Sequence, residues 1–289
     1  MTATSSDAPG PGGHFDLNDF VSRVLAEDMG SGGDVTSRAT IAAEACFTAE
    51  MNCREPIVVA GLDIAAAFFR ALDRDVAVTA RVADGDQIEA GTVLMTLNGN
   101  ARAMLAAERS ALNTLQHLSG IATLTRRYVE AIAGTGATLL DTRKTIPGLR
   151  LLDKYAARMG GAENHRMRLD DGVLIKDNHV GVAGSVEAAV AAAVAAGTGL
   201  QIQVEVDRIE QIEPALAAGA ERLLLDNMPP PRLREAVALV AGRVPLEASG
   251  GVNLDTIRAI AETGVDYISV GRITQSAPAV DIGLDYRLT

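Results

Sequence analysis

Six short apolar runs, each closed by polar residues and separated from the next by helix-forming sequence, leave the second half of this chain very few folds. They are ATLLDTRK, GVLIKDNH, QIQVEVD, ERLLLDN, VPLEASGG and DYISVG. Runs this short and apolar suit strands buried on both faces. Between several of them lie amphipathic or Ala-rich stretches, VEAAVAAAVAAG and LDTIRAIAETG among them, with helical spacing. Parallel neighbours need a crossover, so strand–helix alternation with short connections specifies a parallel sheet. Six such units with no G-x-G-x-x-G turn favour a (β/α) barrel over a dinucleotide-binding sheet.

The chain has 289 residues, of which 48% are hydrophobic and 3% aromatic, with no Trp. That is enough for one large or two modest domains with a real core. A net charge of −11 excludes a broad basic face for nucleic acid or an anionic membrane, so no nucleic-acid or membrane partner is expected. No apolar run is long enough to cross a bilayer and no charged-then-apolar leader occurs, which reads as a soluble, cytoplasmic protein. Cys46 and Cys53 stand an odd number of residues apart in a strand-like stretch. They should face opposite sides, form no disulfide, and act as small buried hydrophobes.

Ahead of the alternating half, residues 1–13 are Ser/Gly/Pro-rich and read as a disordered tail. A helix is expected over Phe15–Glu27, broken by the glycines of AEDMGSGGDVTS. Strands follow around Ala45–Glu50 and Ile57–Ala60, then a helix over LDIAAAFFRAL, then two alternating runs in VAVTARVADGDQIEAGTVLMTLNG. This pattern also resembles the half-barrel of biotinyl or lipoyl carriers. Those carriers present a lysine at a hairpin tip, and no lysine occurs in the first 143 residues. Ala101 to Ala133 has helical periodicity, with a break into two helices expected near Ser119-Gly120.

The strand ends carry the chemistry. They read Asp141-Thr142-Arg143-Lys144, Lys176-Asp177-Asn178, Glu205, Asp226-Asn227, Ser249-Gly250-Gly251 and Gly271-Arg272. In a (β/α) barrel these groups converge on one mouth. Eight of the 26 lysines and arginines fall within the 34 residues from Arg143 to Lys176. Arg143, Lys144, His165, Arg166 and Lys176 suit carboxylates and phosphates. Glu205 and Asp226 suit Mg²⁺, ribose hydroxyls or a developing cation. The EASGGV and SVGRI turns, after late strands, suit a phosphate on backbone N–H groups. A substrate with phosphates, a sugar and further carboxylates uses all three sets. Phosphoribosyl transfer from phosphoribosyl pyrophosphate (PRPP) to an acidic acceptor meets that description.

Those residues, with EDMGSGGDVTS, AERSALNTLQHLSGIAT, DTRKTIPGLRLLDKYAARMGGAENHRMRLDDGVLIKDNH, VEVD, LLLDN, EASGG and ETGVDYISVGRITQSAPAVDIGLDY, closely resemble the quinolinate phosphoribosyltransferase family. The resemblance covers nearly the whole chain after the tail. It implies an α/β protein: an N-terminal α/β sandwich domain over 14–115, with 277–289 packing back on it, and an open seven-stranded α/β (TIM-like) barrel over 116–276. It implies a homodimer in which Arg109 reaches the neighbouring subunit's quinolinate, with higher oligomers left open. Arg143, His165, Arg166 and Lys176 would surround the acceptor's two carboxylates, and Lys144 would meet the pyrophosphate. Thr142 joins the same substrate-binding set. Glu205 and Asp226 would contact ribose and Mg²⁺-bound phosphate, while Ser249, Gly250, Gly251 and Gly271 hold the 5′-phosphate. Arg272 departs from the family, whose members often carry a small residue there. The implied reaction is a pentosyl transfer with decarboxylation, which needs Mg²⁺ with PRPP and no organic cofactor.

Arg150, Lys154 and Arg158, four residues apart, read as the solvated face of a helix. Arg168 has Asp170 or Asp171 to pair with, and His179 reads equally as a satisfied strand-end histidine or a ligand. His14 and His117 have no metal-cluster spacing around them. Competing functions are a Schiff-base aldolase using Lys176, a nicotinate phosphoribosyltransferase-like enzyme, a molybdate-locus paralogue of the fold, and a non-catalytic anion-binding relative.

Overall fold

The computed structural model describes residues 15–287; the expected tail over 1–13 and His14 lie outside them. The chain divides into two compact units. One comprises residues up to Leu124, Leu151–Gly160 and the segment from Ala277 onward; the other comprises Thr125–Arg150 and Gly161–Ser276.

In the first unit, helix α1 (Leu17–Met29) starts where the Asp16 side chain accepts the Asp19 N–H, and it runs two residues past the expected Glu27 before stopping at Gly30, the first glycine of the breaker stretch. Asp34 caps α2 (Val35–Thr40) in the same way. Strand β1 (Cys46–Cys53) follows, ending three residues beyond the expected Glu50, with a register shift between Met51 and Asn52. Cys46 is exposed and Cys53 buried, both free. Cys46 is therefore not the buried hydrophobe expected. After β2 (Ile57–Val58), α3 (Leu62–Leu72) falls on the LDIAAAFFRAL run. Its first turn is held by the Asp84 carboxylate, which accepts the N–H groups of Gly61 and Leu62 and the Tyr155 hydroxyl. Burial first, and then that hydrogen bond, raise the Tyr155 phenol well above its ordinary value.

The alternating stretch yields three strands: β3 (Ala77–Ala80), β4 (Gln87–Ile88) and β5 (Val93–Asn100). Only β3 and β5 join β1 in an antiparallel sheet, whose far edge is β12 (Ile282–Arg287); β4 pairs with β2 instead. Its core includes Met51, Phe68, Phe69, Leu94 and Leu97.

Helix α4 (Ala101–Ala131) is unbroken through Ser119-Gly120, contrary to the expected break. Gly120 is required by packing rather than by a helix end. A Cβ there would lie 2.2 Å from the Pro278 carbonyl oxygen, so the returning C-terminal segment can approach only where α4 has no side chain. A glycine inside a helix costs about 1 kcal/mol against alanine, and the close approach offsets it.

The second unit holds the alternating strands: β6 (Thr138–Leu140), β7 (Val173–Ile175), β8 (Ile202–Val206), β9 (Arg222–Asp226), β10 (Leu246–Ser249) and β11 (Tyr267–Ser269). All pair in parallel in the order β6-β11-β10-β9-β8-β7. The first strand thus lies beside the last, as a closing barrel requires, while β6 and β7 do not pair. On the free side of β6 a seventh position is reduced to a single parallel bridge between Leu140 and Glu163. Helices α6 (Asp177–Ala183), α7 (Val186–Ala195), α8 (Ile212–Ala218), α9 (Pro230–Val240), α10 (Ile257–Ala261) and α11 (Arg272–Gln275) follow the strands from β7 onward, while α5 (Arg150–Met159), between β6 and β7 in sequence, belongs from Leu151 to the first unit. Among the described residues no single helix is long and apolar enough to cross a membrane.

Within α5 the solvated-face expectation fails at its centre. Lys154 is 0% exposed, as is Asp153, whose carboxylate lies 2.8 Å from His117 Nε2. The helix stripe that begins with Leu152 and Tyr155 is wide enough to carry Lys154 inward. Arg158 lies over the Tyr155 ring, 5.7 Å from its centroid. Gly120→Ala is expected to lower the stability of the protein by about 1–3 kcal/mol through overpacking against Pro278; chemical denaturation with helicity as the signal measures it.

Candidate functional site

The carboxyl ends of the parallel strands enclose a cavity of ≈ 710 Å³, lined wholly by residues of the second unit. Successive strand residues point to opposite faces, so every second one looks inward: Leu174 and Lys176 on and after β7, Leu224 and Asp226 on β9, Glu247 and Ser249 on β10. Of the residues expected from sequence, Thr142, Arg143 and Lys144 line it from β6, with His165 and Arg166 from the following turn. Lys176, Glu205 and Asp226 come next, and Ser249, Gly250, Gly251, Gly271 and Arg272 complete the wall. Arg272 therefore faces the cavity rather than turning away. Arg109 alone is elsewhere: it lies in the first unit, on α4, with an exposed side chain.

The cationic side is a pair of guanidiniums. Arg143 lines the cavity, and its buried Nε has no hydrogen-bond partner. Arg166 donates from Nη1 to the Gly172 carbonyl at 2.9 Å. Burial, and then the Arg143 charge, weaken its hold on its proton; an anion between them would relieve both effects. The surrounding loop is pinned by Asp171, which accepts the Met167 N–H at 2.6 Å, and Arg168 pairs with Asp170 at 2.8 Å. Arg150 is no bystander here, since it donates to Thr145 Oγ1 and the Met167 carbonyl, each at 3.2 Å.

The carboxylates line the same cavity. Lys176 Nζ lies 2.7 Å from Glu205 Oε2, an ion pair at the cavity wall. His179 is satisfied locally: its Nδ1 accepts the Lys176 N–H at 2.9 Å. Asp226 accepts from the Asn227 amide at 2.6 Å. Asn227 itself has a left-handed backbone, φ 54°, and its N–H donates to the Ser249 carbonyl at 2.8 Å. The next residue, Gly250, has φ +91°, and a Cβ on it would sit 2.2 Å from Asn227 Oδ1. Glycine is thus required where the β9 and β10 ends interlock. Glu205 and Asp226 each have one oxygen engaged, and no group of three or more His, Cys, Asp or Glu side chains gathers among the described residues. Two carboxylates without a cage suit Mg²⁺, which keeps waters and arrives with phosphates.

Sequence reasoning missed the centre of the floor. Glu247 is 0% exposed. Its Oε2 accepts from Arg222 Nη2 and Gln203 Nε2, each at 2.8 Å, and lies 3.4 Å from His165 Nε2. Arg222 is backed by the Tyr267 ring, 4.0 Å from its centroid. Burial raises the Glu247 pKa, but the His165 hydrogen bond and the charges beside it outweigh that and hold it down at about 2. Asp141, also fully buried, accepts the His165 N–H at 2.8 Å and the Asn164 amide at 2.5 Å. The signal for Glu247 was its place two residues before Ser249 on one strand, which puts both on the inward face.

Comparison with known proteins agrees along the chain. The family model described as quinolinate phosphoribosyl transferase, N-terminal domain, matches residues 34–119, and its C-terminal counterpart matches 121–285. The nicotinate-nucleotide pyrophosphorylase (carboxylating) of Mycobacterium leprae is 46% identical over 275 residues, covering 92% of this chain and 96% of its own. Quinolinate phosphoribosyltransferase (decarboxylating) 2 of Nicotiana glauca is 41% identical, covering 93% and 82%. The structure of the nicotinate-nucleotide pyrophosphorylase from Francisella tularensis superposes with a TM-score of 0.91 at 38% identity, covering 97% of this chain and 100% of that one.

Because the folded pKa of Glu247 lies below its ordinary value of 4.5, its contribution to stability is full above about pH 4.5 and is lost as pH falls toward 2. Glu247→Gln removes that window. The difference in unfolding free energy between wild type and variant, measured by denaturant titration, is expected to shrink as pH is lowered through it.

Proposed function

The chain belongs to the quinolinate phosphoribosyl transferase family, and from its cavity we propose that it joins quinolinate to PRPP, yielding nicotinate mononucleotide, pyrophosphate and CO₂ for NAD biosynthesis. The observation that carries the reading is the guanidinium pair: Arg143 with an unmet buried donor, beside Arg166 with its proton weakened. Two arginines that line one cavity and repel each other suit a dicarboxylate. Nicotinate, with one carboxylate, would leave buried positive charge uncompensated, which is costly.

In this reading Arg143, Arg166 and Lys176 hold the acceptor's two carboxylates, with His165 at their base and Thr142 at the wall. Ser249, Gly250, Gly251, Gly271 and Arg272 receive the 5′-phosphate. Lys144, which has an exposed side chain and whose N–H is turned onto Thr142 Oγ1 at 3.0 Å, meets the pyrophosphate and takes up charge as it leaves C1′ of the ribose. Glu205 and Asp226 face the ribose, where positive charge develops, and would hold Mg²⁺ that comes with the donor. That ion supplies charge neutralisation on the pyrophosphate. The quinolinate ring nitrogen bonds to C1′. The neighbouring carboxyl then leaves as CO₂, its C–C electron pair stabilised by the quaternised nitrogen until the ring carbon takes a proton. No organic cofactor enters, and the side chains act by position and charge.

Arg109, exposed on α4, is proposed to enter the cavity of a second copy, making a homodimer with shared sites. We place the protein in the cytoplasm, in keeping with its two free cysteines.

Purified protein with quinolinate, PRPP and Mg²⁺ is expected to release CO₂ and nicotinate mononucleotide; no product at saturating substrates, or equal use of nicotinate, overturns the assignment. Lys144→Ala is expected to lower kcat by about 100-fold or more. Mixing inactive Arg109→Ala and Lys144→Ala subunits should restore part of the activity once exchange is confirmed by mass spectrometry. An absence of recovery counts against the shared site.

A further inference from the structure

We propose that Glu247 is a positioning residue for the acceptor, acting through the His165 ring on the backbone of Arg166. This rests on the reading of the cavity as a quinolinate and PRPP site. The path is short, and each link is a contact in the structure. The Arg166 N–H donates to His165 Nδ1 at 2.8 Å. An accepting Nδ1 leaves the ring proton on Nε2, and Nε2 lies 3.4 Å from Glu247 Oε2. Both ring nitrogens are therefore engaged by the protein. The ring is a strut between the barrel floor and the turn that bears Arg166.

Glu247 is suited to anchor such a strut because it has no freedom of its own. It is fully buried on β10, between β9 and β11, and the oxygen facing His165 also accepts from Arg222 and Gln203. The turn is gripped from its other side by Asp141, which accepts the His165 N–H and the Asn164 amide. One buried carboxylate fixes the backbone entering the turn, and the other fixes the ring that holds the backbone leaving it. The Arg166 side chain then reaches the Gly172 carbonyl at 2.9 Å and faces the cavity beside Arg143. Arg143 and Arg166 are the pair that receives the acceptor, whereas the phosphate turns follow β10 and β11. A loosened strut therefore weakens acceptor binding and spares the donor.

The test is Glu247→Gln in the full chain, nearly equal in size, with folding checked by circular dichroism. The KM for quinolinate is expected to rise by about 10-fold or more while the KM for PRPP stays within about twofold. In a His165→Ala background the same substitution should have no further effect on the quinolinate KM. ¹⁵N-edited spectra of the His165 ring are expected to show the Nε2–H form in wild type and its loss in Glu247→Gln. Equal rises in both KM values, an undiminished effect without the imidazole, or a wild-type ring protonated on Nδ1 would overturn the proposal. That last measurement needs only wild type, so it decides even where the variant does not fold. Wild-type protein that fails to turn over quinolinate and PRPP sinks the functional reading alone, and the ring spectra still judge the strut.

Discussion

A carboxylate with no exposed surface stands at the centre of the barrel floor, and it stays ionised there because donors converge on one of its oxygens. An isolated buried charge is among the most expensive features a protein can carry. Glu247 lowers that cost by drawing Gln203 from β8, Arg222 from β9 and His165 from the turn after Glu163 to its Oε2. Each donor belongs to a different segment, so the contact also fixes those segments against one another. The tyrosine ring behind Arg222 completes the layer from β11. Upward from this layer the inward positions turn to the cavity.

The cavity itself is a problem in placing like charges. Arg143 and Arg166 are neighbours whose mutual repulsion shows in the weakened hold of Arg166 on its proton. Glu205 is paired with Lys176 and with neither of them. The positive potential is therefore concentrated rather than averaged away, in a chain that is acidic as a whole. Preorganised charge of this kind costs stability in the empty protein and is recovered when a complementary anion enters.

Much of this was legible in the sequence, for physical reasons that differ by element. The six strands of the second unit were plain because a strand buried on both faces must be apolar throughout, and polar residues can then appear only at its ends. Helix α3 was legible to the residue, since an apolar run bounded by Gly61 and Asp73 has few alternatives. Gly120 was misread because a glycine that admits another segment looks, in one dimension, like a glycine that ends a helix. Lys154 was misread for a related reason: charge predicts exposure on average, and its burial depends on neighbours outside the helix. Glu247 passed unnoticed because a single acidic residue inside LEAS has no local mark of its convergence with Gln203, Arg222 and His165. The strand pairing of β4 with β2, and the extension of β1 past its bulge, are likewise set by partners far away in sequence.

The chain contains only three lysines, Lys144, Lys154 and Lys176. One is sealed in the first unit, and the other two line the cavity. Along the described residues, every side-chain amine that solvent can reach therefore belongs to the site, while the outer surface takes its positive charge from arginine alone. A reagent that acylates amines has almost nothing else on this protein to react with. Its rate of reaction would report directly on whether the cavity is filled.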